Sequence, residues 1–344
     1  MMLLRRRIVV SRSVFLHTIR GGLDMRLVFM GTPDFSVPAL RALVQGGHEV
    51  VGVFTQPDRP SGRGKKLKPS PVKVAAEELG LAVFQPEKIK TQEAIHQLED
   101  LAPDCMIVVA YGQILSKEIL QLPSKGCINV HASLLPAYRG AAPIHWAVMR
   151  GETVTGVTTM LMDEGLDTGD MLLKREVLIS DEATTGELHE VLATIGGELL
   201  LETLNQLNLG TLFATPQTGP TNYASLLKRS HERLEWSRTA VELHNQVRGL
   251  NPWPGAFTTF RGENLKIWKS TSVPRSGEDA ETRALSQLAT AEPGQIIQVL
   301  ENGLEVQTGD GMLQILEVQP AGKRAMPARD FFNGRHGQVG EKLE

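Results

Sequence analysis

The chain has 344 residues, 41% hydrophobic and 22% charged, with a net charge of −3. This length fits two domains, each able to bury a core without staples, and the near-neutral balance means that any nucleic acid must be held by a local patch, not by overall charge. Two cysteines, Cys105 and Cys127, exclude a disulfide framework and, with no Cys/His cluster at metal-ligand spacing, a zinc site; both sit in apolar runs, as buried free thiols of a reducing cytoplasm do.

Residues 1–24 carry Arg5, Arg6, Arg7, Arg12 and Arg20 against one acid, Asp24. An Arg-rich, acid-poor start can mark a transit peptide, and a basic start a secretory signal, but Ser11 and Arg12 break the apolar run that a signal needs. We read 1–24 as an N-terminal extension upstream of a start at Met25, because a complete first strand begins directly after it. No apolar stretch approaches the ~20 residues needed to span a bilayer, so a cytoplasmic protein is expected.

Arg26–Met30 is a short apolar run ending in Gly31-Thr32-Pro33. Ser36 then stands before a helical pattern to about Gln45, with Pro38 in its first turn and Gly46-Gly47 as its stop. Val50–Phe54 is a second apolar run. Strand, helix, strand implies a parallel pair and a doubly wound sheet. Further strands are expected near Ala82–Gln85, Cys105–Ala110 and Cys127–His131, separated by helices near Pro71–Leu79 and Thr91–Leu101. The first turn, Gly31-Thr-Pro-Asp-Phe-Ser36, lacks the later glycines of a dinucleotide site. A Rossmann-like fold is therefore expected without NAD, which disfavours an NAD-dependent oxidoreductase.

Between the second strand and the next helix, Gln56–Lys73 carries Arg59, Arg63, Lys65, Lys66, Lys68 and Lys73 against Asp58. Its prolines and glycines predict a loop. Following a strand, that loop would overhang the ligand-binding edge, where it could grip phosphates or simply be solvated. It has no aromatic residue, which argues against base stacking there.

Cys127-Ile-Asn-Val-His-Ala-Ser-Leu-Leu-Pro-Ala-Tyr-Arg-Gly140 is the densest signal. Strand side chains repeat every two residues, so Asn129 and His131 share a face near a carboxyl edge. An amide and an imidazole side by side can both donate to an oxyanion formed in acyl transfer, although a structural histidine at a strand end fits as well. Strand-like runs at Thr155–Met162 and Met171–Val177 flank Met162-Asp-Glu-Gly-Leu-Asp-Thr-Gly-Asp170. A turn presenting Asp167 inward could hold His131 protonated; the bland reading is a polar hairpin of solvated acids. Spacing does not choose among Asp163, Glu164, Asp167 and Asp170.

From about Ala214 the character changes. Thr215–Tyr223 is rich in Thr, Pro and Gly and reads as a linker. A helix is expected around Ser237–Arg248, then short strands. Gln295–Leu300 and Leu304–Gln307 form a hairpin through Asn302-Gly303, and Met312–Val318 follows. This predicts a small all-β domain, a barrel, with Ser272–Pro293 as a polar loop of weak helical content. Lys323 and Arg324, with Arg329 and Arg335 nearby and Arg229, Arg233, Lys266 and Lys269 scattered, could give it an RNA-binding face. Glu232 and Glu235 dilute that charge. Trp253, in Asn251-Pro-Trp-Pro-Gly, is expected to pack between the domains or in the barrel core, with base stacking the lesser reading.

Taken together, these segments resemble the methionyl-tRNA formyltransferase family from Met25 to about Arg335. The resemblance rests on Gly31-Thr-Pro-Asp-Phe, the basic loop Thr55–Lys73, Val109-Ala-Tyr-Gly, Asn129-Val-His-Ala-Ser-Leu-Leu-Pro, Arg139-Gly-Ala-Ala-Pro-Ile, Met162–Met171, Asn251-Pro-Trp-Pro and Leu316–Met326. It implies catalytic roles for Asn129, His131 and Asp167, and a folate contact at Ser133, Leu134, Leu135 and Pro136. It also implies 10-formyltetrahydrofolate as formyl donor, methionyl initiator tRNA as acceptor, no metal and a monomer. Candidate tRNA contacts are Arg59, Arg63, Lys65, Lys66, Lys68, Lys323 and Arg324. Ala132 stands where many relatives have glycine, with no change in chemistry expected.

The resemblance further implies a Rossmann-like α/β catalytic domain with a parallel-rich sheet over 25–213, a linker at 214–229 and an OB-like β-barrel over 230–338 that binds tRNA. Two alternatives remain. One is a formyltransferase for a small amine, such as an amino sugar nucleotide or glycinamide ribonucleotide, against which the basic segments argue. The other is a non-catalytic RNA-binding protein, against which intact Asn129, His131 and Asp167 argue.

Overall fold

The computed structural model describes residues 25–61, 66–273 and 291–344. The extension 1–24, Arg63, Lys65 and most of the polar stretch 272–293 lie outside the described residues.

The first unit runs β1 (Arg26–Gly31), α1 (Val37–Gln45), β2 (Glu49–Phe54), β3 (Arg59–Ser61), β4 (Lys66–Lys68), α2 (Pro71–Glu78), β5 (Val83–Phe84), α3 (Gln92–Asp100) and β6 (Cys105–Val109). It continues with α4 (Lys117–Leu120), β7 (Cys127–His131), β8 (Arg139–Gly140), α5 (Pro143–Met149), β9 (Val154–Leu161), β10 (Met171–Leu178) and α6 (Thr185–Leu209). Seven strands form one sheet in the order β10-β9-β7-β6-β1-β2-β5. β5, β2, β1, β6 and β7 run parallel, while β9 and β10 are antiparallel.

Helices cover both faces of this sheet, so its central strands read as unbroken apolar runs. Leu27 and Phe29 of β1 point into the core beneath α1 and α6. Val28 and Met30 point into the core beneath α3 and α4. The chain leaves β1 towards β2 and β5 and returns to β6 on the other side of β1. That reversal is a topological switch point, and it opens a crevice at the strands' carboxyl ends.

α6 is a 25-residue helix. A reciprocal cap between Thr184 and Glu187 starts it, and Gly210 in the left-handed region ends it. Its middle crosses α1 so closely that a Cβ on Gly197 would sit 3.1 Å from the Pro38 carbonyl oxygen. Gly196, its neighbour, faces the sheet instead, against Val130 and Val157.

The basic segment departs from the expected loop. β3 and β4 pair antiparallel as a short ribbon, Arg59 opposite Lys68, and Ser70 caps α2 by accepting from the Lys73 amide. The expected linker departs more. Thr215 bridges to Met171, and β11 (Tyr223–Ala224) pairs with β8, Tyr223 beside Arg139. Its irregular composition hid side chains that bond to the first unit.

The second unit holds α7 (Arg229–Glu232), α8 (Ala240–Gly249), β12 (Ala256–Phe260), β13 (Glu263–Val273), β14 (Ile296–Val299), β15 (Leu304–Gln307), β16 (Met312–Pro320), β17 (Met326–Pro327) and α9 (Ala328–Gly334). Its antiparallel sheet has the order β12-β13-β16-β15-β14, with β17 on β16. Among the described residues the expected barrel is not closed by strand pairing, since β12 and β14 are the two edges of the sheet. The tail at 340–344 bonds to both edges through Phe260–Leu343 and Gln295–Lys342 bridges, which covers backbone that would otherwise be unpaired.

α8 joins the units, packing on β13 and α5. Buried Arg248 donates to the carbonyls of Ser180 and Ala183 and to Asn245, so its charge is not left unsatisfied. Among the described residues no helix is long and apolar enough to cross a membrane.

Candidate active site

A cleft of about 540 Å³ lies at the carboxyl edge of the first sheet. Phe35 after β1, Ala110–Ile114 after β6 and Asn129–Ala132 at the end of β7 line it, with Leu166 and Asp167 on the opposite side. The pleat puts Asn129 and His131 on one face. Both are buried. The Asn129 amide makes no hydrogen bond among the described residues and is free for a bound molecule.

His131 is held from two sides. Its Nε2 lies 3.0 Å from the Tyr138 carbonyl oxygen. A carbonyl can only accept, so Nε2 carries the hydrogen. Nδ1 lies 3.7 Å from Asp167 Oδ2, an ion-pair distance too long for a hydrogen bond. Any second proton on the ring must therefore sit on Nδ1, the nitrogen beside Asp167.

Asp167 has φ 53, in the left-handed region that non-glycine residues rarely adopt. Its Oδ2 accepts from the Gly140 amide at 2.8 Å. The turn is tight: a Cβ on Gly169 would lie 1.8 Å from the Leu161 carbonyl oxygen. The competing acids are occupied elsewhere. Asp163 accepts from Thr168 and from the Gly165 amide, and Glu164 pairs with Lys117 on the surface. Asp170 does not line the cleft. Of these four acids, Asp167 is the one that lines the cleft and lies beside His131.

Ser133, Leu134, Leu135 and Pro136 do not line this cleft. Ser133 Oγ donates to the Ala137 carbonyl, and the Leu135 amide donates to Thr158. Lys174 Nζ donates to the Leu135 carbonyl. The segment forms a buried turn beside His131. Among the described residues no group of three or more His, Cys, Asp or Glu is arranged to hold a metal ion.

Sequence reasoning gave no role to three neighbours of the site. Tyr111 is buried in the cleft wall with its hydroxyl unpartnered, and burial pushes its pKa up. Gln56, at the root of the basic ribbon, donates to the Tyr111 carbonyl. His145 lines the cleft and bonds through Nε2 to the Trp253 carbonyl; burial lowers its pKa, with the Trp253 carbonyl opposing. Val109-Ala-Tyr-Gly was the one visible signal for the first.

Trp253 is 67% exposed, not packed between domains or in a core. Its ring stands edge-on to His145 at 6.3 Å, at the rim of the cleft. Of the basic candidates, Arg59 pairs with Glu87 at the surface and Lys73 is engaged by Asp58. The Lys73 hydrogen bond, then that from Gln85, holds the Asp58 carboxyl below its ordinary range. Lys68, Lys323 and Arg324 are exposed, and none has an ion-pair partner among the described residues. Lys323 and Arg324 follow β16 on the second unit, away from the trio.

An amide, an imidazole and a carboxylate converge on this cleft, and known proteins of similar sequence define the class. The model described as "Formyl transferase" matches residues 25–204, and "Formyl transferase, C-terminal domain" matches 226–336. A methionyl-tRNA formyltransferase of Pelotomaculum thermopropionicum is 51% identical over 310 residues, 90% of this chain and 96% of the relative. That of Bacillus subtilis is 48% identical over 320 residues, 92% and 97% of the two chains. The chain belongs to the methionyl-tRNA formyltransferase family.

Solved structures share the fold at low identity. HypX of Aquifex aeolicus matches with a TM-score of 0.61 at 17% identity, over 93% of this chain and 49% of that one. An N-formyltransferase of Helicobacter canadensis, solved with folinic acid and dTDP-3-aminofucose, matches at 0.59 and 18%, over 86% and 99%.

Proposed function

We propose that this chain transfers the formyl group of 10-formyltetrahydrofolate to the α-amine of methionyl initiator tRNA, giving N-formylmethionyl-tRNA. The observation that carries the reading is the convergence of a free Asn129 amide, His131 with Nε2 committed to a carbonyl, and Asp167 at one cleft. The cleft fits a folate: it is within the ~300–1,000 Å³ of small-ligand sites, mostly apolar, and holds the unpartnered Tyr111 hydroxyl. Bound there, the folate supplies the formyl group. The turn Ser133–Pro136 lies beside His131 and is the proposed further contact for the folate, with Ser133 Oγ and the Leu135 amide and carbonyl already bonded within the protein.

The residues divide the work simply. Asn129 and the Nδ1–H of a protonated His131, which lies beyond hydrogen-bond range of Asp167, donate to the formyl oxygen as it gains charge, which is strongest for donors fixed in advance. The Tyr138 carbonyl fixes the imidazole plane, and Asp167 offsets the charge that Nδ1–H brings. The amine acts as nucleophile in its neutral form: its nitrogen bonds the formyl carbon, the bond from that carbon to the folate nitrogen breaks, and the proton the amine loses is regained by the departing folate nitrogen. Free α-amines titrate near ~7.7–8.0 and an adjacent ester lowers that, so enough is neutral at pH 7. No side chain of the trio need form a covalent bond.

The tRNA's 3′ end reaches the cleft over the rim at Trp253, whose exposed ring gives a base a stacking face. Its acceptor stem is contacted through its phosphates by the basic segment's Arg59, Arg63, Lys65, Lys66 and Lys68, with Lys323 and Arg324 as further phosphate contacts on the second unit. The protein works as a cytoplasmic monomer. Asn129→Ala and His131→Ala are each expected to lower turnover by ~10²–10³ while leaving tRNA binding within about twofold. Near-normal turnover in either would remove it from the oxyanion site.

A further inference from the structure

The segment between the two family domains does more than connect them. Gln217 is half-buried while Pro216, Thr218, Gly219 and Pro220 around it are exposed. Its Nε2 donates to the carbonyls of Asp167 and Gly169, each at 2.8 Å. Its Oε1 accepts from Arg139 Nε and Nη2 at 3.0 and 2.7 Å. A primary amide is the neutral side chain that can supply two donors and an acceptor at once. Here it ties the Asp167 turn to the strand β8, whose Gly140 amide donates to the Asp167 carboxylate.

Asn222 does the corresponding work for His131. Its Oδ1 accepts from the Tyr138 amide at 2.6 Å, and the Tyr138 carbonyl is the acceptor that fixes His131 Nε2. Tyr138 itself has φ 59, a strained backbone that needs such anchoring. The strap then runs beside β8 as β11, and the Ala224 carbonyl accepts from the amides of Ala141 and Ala142. Both partners of His131 are thus held by side chains of one strap.

We infer that Gln217 and Asn222 are positioning residues for the transfer reaction: the strap 217–224 sets the His131–Asp167 geometry. This rests on the trio's proposed role. Loss of the Gln217 amide would leave two carbonyls and a guanidinium without partners, free the Asp167 turn and widen a separation already at 3.7 Å. The expected signature is lost turnover with intact binding, because neither residue lines the cleft.

The test is a double-mutant cycle with an activity-independent readout, made on the full chain. Gln217→Leu should lower kcat at least tenfold, leave KM for both substrates within twofold, and speed amide exchange of Gly140 at least tenfold by NMR. In an Asp167→Asn background the same change should alter single-turnover rate less than twofold, since coupled residues are not additive. Gln217→Glu, which keeps the Arg139 contact but loses both donations, should behave likewise and serves if the leucine variant does not fold. Equal losses in both backgrounds, a loss confined to KM, or unchanged Gly140 exchange would overturn the inference. Absence of transfer by the wild type would instead sink the functional reading, and Gly140 exchange would still decide whether the strap holds the site.

Discussion

His131 has one nitrogen tied to a backbone carbonyl and one beside a carboxylate, and this asymmetry decides what Asp167 must do. Asp167→Asn keeps the shape and can still accept from the Gly140 amide, but it cannot offset an imidazolium. Turnover at neutral pH is therefore expected to fall at least as far as in His131→Ala, with folate binding by titration unchanged. Near-normal turnover would break the proposed coupling. At this scale the sequence was legible where chemistry repeats with backbone period: Asn129 and His131 two apart on a strand need no further information to share a face. Asp167 was not separable from Asp163, Glu164 and Asp170, because that choice rests on a left-handed residue and on which acids find other partners. Trp253 was misread because a large aromatic is usually buried, and nothing local reveals a rim.

Elements were readable where local and tertiary preferences agree. The strands, the hairpin at Asn302-Gly303 and the helices α2, α3 and α8 came close to their expected bounds. α6 did not emerge at all, since Gly196-Gly197 reads as a breaker until α1 is known to lie across Gly197 and the sheet against Gly196. Its reciprocal cap makes a direct test. Thr184→Ala should cost ~0.5–2 kcal/mol in denaturant unfolding. Glu187 carries a pH signature. The Thr184 amide, then its hydroxyl, hold the Glu187 carboxyl below the ordinary 4.5, so its charge stabilises the fold above that value. That contribution is lost as pH falls through the lower folded value. The deficit of Glu187→Gln against wild type should be present at pH 7 and shrink as pH falls below 4.5 towards the lower folded value; a deficit that grows on acidification would contradict the cap.

At the scale of the whole molecule, net charge of −3 conceals a local run of cations between Arg59 and Lys73. Replacing Arg63, Lys65 and Lys66 by Ala should flatten the salt dependence of methionyl-tRNA use, at ~0.7–0.9 in log–log slope for each phosphate no longer neutralised. Folate affinity should not move. An unchanged slope would reduce the ribbon to solvated surface. Arg59 is a poorer target, because Glu87 already faces it. Trp253→Ala should weaken tRNA use by the ~1–3 kcal/mol typical of a stacked base, with Trp253→Phe retaining much of it; equal loss in both variants would point to the loop and not the ring. Sequence composition read 214–229 as a linker and could not show the bonds of Gln217 and Asn222, because Thr, Pro and Gly carry no periodicity and those bonds join residues far apart in the chain.

The most direct test of the central claim is transfer of labelled formyl from 10-formyltetrahydrofolate, measured side by side on methionyl initiator tRNA, free methionine and an amino sugar nucleotide. The account predicts efficient, salt-sensitive labelling of the methionyl-tRNA, abolished by His131→Ala, with the small amines at least a hundredfold poorer in kcat/KM. Equal or better transfer to a small amine, or no transfer to methionyl-tRNA, would contradict it.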